Sequence, residues 1–139
     1  MSMQSALDRP GRLGMRRRIA ARSAVWLAHL LALLPPHRIR AILAVLRRGA
    51  APAGHDAASR ARDAVLSVSL ACVNTQGCLP RSLATALLCR MSGMWPTWCV
   101  GPSRFPPIRL HAWVEAEGHA VDEPFPDGYF TKLITVPPG

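Results

Sequence analysis

Apolar positions recur at three- and four-residue steps up to about residue 93 and alternate with polar ones beyond it. Over residues 15–34, Trp26, Leu27, Leu30, Leu31 and Leu34 share one side of a predicted helix led by Arg16, Arg17, Arg18 and Arg22, and Pro35-Pro36 ends it. A second helix over 37–48 gathers Ile39, Ile42, Leu43 and Leu46, and the small residues 49–54 read as a linker. Asp56 is placed to cap a third helix over 57–72, its carboxylate accepting the free N–H groups of the first turn, with Ala61, Val65, Leu66, Val68 and Cys72 as the buried side. After a loop at 74–77, Cys78 opens a fourth helix. Pro80 sits in its first turn, where a missing N–H costs nothing, and Leu83, Ala86, Leu87 and Met91 form its stripe. Gly93 suits the left-handed position just past the end. Residues 97–100 and 111–115 read as strands separated by a proline-rich loop, 119–123 as a return strand after Glu117-Gly118, and 129–136 as a last strand or extended tail. Residues 1–14 show no period and read as a loose terminus. Helices first and an antiparallel sheet second make an α+β fold.

The chain has 139 residues, 50% of them hydrophobic, enough for one real core and too many for a disordered or low-complexity chain. No apolar run reaches the roughly 18 residues of a membrane span. The formal charge of +9 is uneven: residues 1–62 hold 12 arginines against Asp8 and Asp56, whereas 63–139 carry five basic and six acidic residues. The division suggests an Arg-rich helical extension over 1–54 and a core over 55–139. It also suggests an acidic partner, a membrane surface or a nucleic acid, the scarcity of lysine weighing against nucleic acid. The helical pair reads as a hairpin packed on the core or as a docking surface, and the two are compatible.

Four cysteines, at 72, 78, 89 and 99, are spaced too widely for a zinc site. A disulfide framework would need a secreted chain. The apolar stretch from Ala24 to Leu34 is interrupted by His29 and followed by Pro35-Pro36-His37-Arg38 rather than a small-residue cleavage site, so a cytoplasmic protein with reduced thiols is expected. Cys78 stands out. At a helix N-terminus the free N–H groups and the macrodipole favour thiolate, the attacking species, whereas Cys72, Cys89 and Cys99 read as small buried hydrophobes. Among His29, His37, His55, His111 and His119, His111 heads a strand and shares its face with Trp113, an imidazole beside an aromatic wall. A carboxylate must orient that imidazole, and the hairpin loop decides which. A two-residue loop, Glu117-Gly118, puts Asp122 on the His111 face but demands positive φ at Glu117. A three-residue loop, 116–118, puts Glu123 there and is the favoured reading.

A cysteine at a helix N-terminus, a histidine heading an antiparallel hairpin and an acid on the return strand follow the order of papain-like and transglutaminase-like thiol enzymes. More narrowly, Cys78-Leu79-Pro80-Arg81-Ser82-Leu83-Ala84 with His111-Ala112-Trp113-Val114-Glu115, and the ending from Gly128-Tyr129-Phe130 to Ile134-Thr135-Val136-Pro137-Pro138, resemble the stand-alone lasso-peptide leader peptidases, whose transglutaminase-like core is shared with the processing protein of microcin J25. The resemblance covers roughly residues 60–139. It implies a cysteine peptidase that removes the leader from a ribosomally made precursor before a separate ATP-using cyclase closes the ring. It also implies a separate leader-recognition protein as partner, the cyclase as a further candidate partner, and neither metal nor organic cofactor. Nucleic acid is not an expected partner, and membrane association is not favoured. Cys78 would be the nucleophile and His111 the acid–base, with Glu123 or Asp122 as third member; an Asp is the usual third member of the family. Gln76, with Asn74 a weaker candidate, would join the Cys78 backbone N–H around the oxyanion, and Arg81 would brace the loop or meet the substrate. The same residues would serve a thiol acyltransferase. A non-enzymatic adaptor acting through the basic helices is the other alternative.

Overall fold

The computed structural model describes residues 14–69, 72 and 77–139. Its helices are α1 (Met15–Leu31), α2 (Pro36–Leu46), α3 (His55–Val68) and α4 (Cys78–Met91). The strand β1 (Ala51–Pro52), between α2 and α3, runs parallel to β2 (Met94–Trp95). β3 (Thr97–Pro102), β4 (Leu110–Ala116), β5 (His119–Ala120) and β6 (Ile134–Val136) form an antiparallel sheet in the order β5-β4-β3-β6. The α+β class expected from the pattern is the class observed.

α4 is the centre of the fold. It is buried from Ser82 to Cys89, because it packs on α1 and α3 as well as on the strands. Two buried indoles tie it and the C-terminal strand together: Trp98 Nε1 donates to Ser82 Oγ at 3.1 Å, and Trp95 Nε1 donates to the Val136 carbonyl at 3.0 Å.

Several elements depart from expectation. α1 enters the core with Ala21, Ala24 and Ala28, while Trp26, Leu27 and Leu30 face solvent; only Leu31 and Leu34 of the expected stripe pack on the core. The buried cluster runs from Ala21 to Val136 without a break at residue 54, so charge changes there and packing does not. α3 begins at His55 after Gly54 and ends at Val68, leaving Asp56 inside the first turn rather than at the cap. The linker 49–54 contains β1, stitched to the chain after α4 by Ala51 N–H to the Gly93 carbonyl and Ala53 N–H to the Trp95 carbonyl, each 2.9 Å.

The β4–β5 turn is the two-residue form. Ala116 pairs with His119, and Glu117 and Gly118 take φ of 54° and 83°, as the strand twist favours at a tight hairpin. The strain at Glu117 is offset by its carboxylate, which accepts the His55 N–H at 2.7 Å, one of the free donors of the first turn of α3. On the other side of the sheet the chain passes close over Gly101: Thr131 N–H donates to the Pro102 carbonyl and Leu133 N–H to the Val100 carbonyl, each at 2.8 Å. A Cβ on Gly101 would lie 1.5 Å from the Thr131 carbonyl oxygen.

Candidate active site

Cys78 is the first residue of α4 and is half-buried against the head of β4. Burial pushes its thiol up. A hydrogen bond with the His111 side chain, the Ala112 backbone N–H, the charge on His111 and the Arg81 guanidinium outweigh burial, and the thiol sits below its ordinary value. His111 responds in the opposite sense. Burial pulls it down, the sulfur and the Glu123 carboxylate pull harder, and it is pushed up to about 9. Both shifts run in the direction of a thiolate–imidazolium pair. Cys89 and Cys99 are pushed up by burial to about 11 and about 12 and stay neutral.

Glu123 Oε1 lies 2.6 Å from His111 Nε2, which leaves Nδ1 for the sulfur. Continuing the two-residue hairpin ladder would have set Asp122 opposite Trp113 and given it the His111 face. The ladder ends instead with Val121 N–H on the Val114 carbonyl at 3.0 Å, and Asp122 takes φ 54°. That left-handed residue turns its carboxylate to Ser59 Oγ on α3 and swings Glu123 back to the imidazole. Glu123 thus reaches His111 through the two-residue loop, not through the three-residue loop that the sequence reading favours. Asp122 does not join the pair.

Arg62, which the sequence reading passed over as one arginine among twelve, lies with its Nη2 3.5 Å from Glu123 Oε2. Ser59 and Arg62, three residues apart on one face of α3, meet Asp122 and Glu123 through their side chains, while His55 meets Glu117 through its backbone N–H. The signal was that helical spacing of a hydroxyl and an arginine combined with two adjacent acids on one hairpin.

Trp113 is stacked with the His111 ring at 5.8 Å between centroids and 12° between planes. Phe130 stacks at 4.7 Å, and Phe125 meets the imidazole edge-on at 5.8 Å. Trp113 Nε1 donates to Glu115 Oε2 at 3.0 Å, and Lys132 Nζ holds Glu115 Oε1 at 2.8 Å. Beyond this wall a cavity of about 340 Å³ opens, lined by His111, Trp113, Phe125, Phe130, Glu115 and Lys132 among others; Cys78 is not in its lining. Arg81 donates from Nη1 to the Cys72 carbonyl at 3.0 Å, bracing the chain ahead of α4. Gln76 and Asn74 lie outside the described residues.

No curated protein and no solved structure matches the chain. A family model does, over residues 21–135, a span that takes in α1 through β6 almost entire. The matched family is one of generally thiol-dependent proteases and acyltransferases, the two activities with which such a domain is consistent. By that match the chain belongs to the transglutaminase-like superfamily.

Proposed function

We propose that the protein is a cytoplasmic cysteine peptidase that cuts the leader from a ribosomally made lasso-peptide precursor, ahead of ring closure by a separate ATP-dependent cyclase. The observation that carries the reading is the chain of contacts from Cys78 through His111 to Glu123, the first two of which sit in the leader-peptidase motifs. The Cys78 thiolate attacks the carbonyl on the leader side of the junction, and its own backbone N–H, at the start of α4, faces the developing oxyanion. The His111 imidazolium, held by Glu123, gives its proton to the departing core amine. The neutral imidazole then takes a proton from water, whose oxygen adds to the thioester carbonyl; the C–S bond breaks, releasing the leader acid and restoring the thiolate–imidazolium pair. A separate recognition protein holds the leader and raises the local concentration of the junction.

An amine in place of water would make the same pair an acyltransferase. The test is mass spectrometry of full-length precursor incubated with the protein, with and without the recognition protein. Cleavage at the leader–core junction, faster with the recognition protein and abolished by Cys78→Ala, is expected. An intact precursor joined to an amine would give the acyltransferase. Unchanged cutting by Cys78→Ala would sink the nucleophile.

A further inference from the structure

We propose that the outer face of α1 rests on an anionic lipid bilayer. α1 is an inverted helix: its alanines point inward and its bulk points out. Ala21, Ala24 and Ala28 are wholly buried, whereas Met15, Ile19, Trp26, Leu30 and, just past the helix, Leu33 are between 46% and 81% exposed. At 100° per residue those five fall within a band of about 60°, opposite the alanines, and they run along about 27 Å of helix. Arg16 and Arg22 flank the band, Arg38, Arg40 and Arg48 on and just after α2 are exposed too, and no acidic residue lies between Asp8 and Asp56.

That combination fits a negatively charged bilayer surface. An apolar stripe sinks to the level of the acyl chains, an exposed tryptophan sits at the headgroups, and arginines reach back to the phosphates. A helical protein partner fits less well. A knobs-into-holes seam along this face would run through Met15, Ile19, Arg22, Trp26, His29 and Leu33, placing a guanidinium and an imidazole in its core. No helix among the described residues is long and apolar enough to cross a membrane, so α1 lies on the surface and does not span it. α1 packs on α3 and α4, and the Cys78–His111 pair lies where α4 meets β4, so the lipid face and the reactive pair belong to different interfaces. The proposal stands whatever chemistry Cys78 performs.

The experiment is flotation of the full chain with vesicles of phosphatidylcholine alone and of phosphatidylcholine mixed with phosphatidylglycerol. Trp95, Trp98 and Trp113 are buried, so Trp26 is the solvent-exposed tryptophan and reports directly. Binding to the anionic vesicles more than about tenfold tighter than to the neutral ones, weakened by salt and accompanied by a blue shift of tryptophan emission, is expected. A Trp26→Ser/Leu30→Ser/Leu33→Ser variant with an unchanged thermal melt should lose the binding, and a Leu30→Ser/Leu33→Ser variant, which keeps Trp26, should lose most of the shift. No preference for anionic vesicles overturns the proposal, and so does binding that survives the triple substitution. Failure to bind vesicles while the same substitutions release a helical protein partner overturns it in favour of a protein interface.

Discussion

His111 is engaged at both ring nitrogens, by Glu123 and by the sulfur, and its pH response follows from that. The reactive form needs Cys78 deprotonated and His111 protonated. The rate therefore rises as pH climbs through the depressed thiol value and falls as the imidazolium loses its proton near pH 9. Glu123→Gln removes a charge that holds His111 up, so the alkaline limb moves to lower pH and turnover drops about 100-fold or more. Asp122→Asn keeps a residue tolerant of positive φ and leaves turnover within a few-fold of the parent. Rate–pH profiles of the two variants check both statements. Iodoacetamide at pH 7 should label Cys78 ahead of Cys89 and Cys99, read by peptide mass spectrometry, because those two thiols are buried and neutral. Cys78 and His111 were legible because each stands at a position whose local geometry is written in neighbouring residues: Pro80 for the helix start, alternation for the strand. The route to Glu123 was not, since it depends on two left-handed residues, Glu117 and Asp122, that only contacts from another helix make tolerable.

Between elements, α3 holds the hairpin from outside the sheet. Arg62→Ala removes a cation from a carboxylate that is nearly fully buried, so we expect a loss of about 1–3 kcal/mol by urea denaturation. Turnover falls with it, and the fall persists under conditions where the variant is fully folded, because Glu123 is then free to swing. Arg62→Lys restores the stability better than the turnover, a single ammonium replacing a planar fork. α1 makes the opposite lesson. Ala24→Leu forces a large side chain into a face built for close approach to α4, at a cost of about 1–3 kcal/mol, whereas Leu30→Ser changes the melt little. A hydrophobic stripe identifies a face but not its direction. With two candidate faces on α1, one small and one large, spacing alone selected the wrong one. β1 and β2, two residues each, are too short to carry any period.

Across the whole molecule, the break in charge near residue 54 and the continuity of packing across it describe different things. Charge composition follows what the surface meets; the core follows what α4 must be covered by. The helical N-terminal part supplies Arg62's helix with one of its neighbours and α4 with one of its walls, and the family match starts at residue 21. Gly101 shows how far such coverage reaches. It pairs with His111 in the β3–β4 ladder, and the chain that brings Phe130 onto the imidazole crosses directly above it. Gly101→Ala would lift that crossing, lower stability by about 3 kcal/mol and pull the aromatic wall off His111, visible as a lower melting temperature together with slower turnover. In a random-mutagenesis screen scored by activity alone, Gly101 would therefore be recovered beside Cys78 and His111 as though it were part of the chemistry. Thermal melts of the recovered variants would separate the two kinds of hit, and would mark the absence of a single methyl group as a requirement of the site.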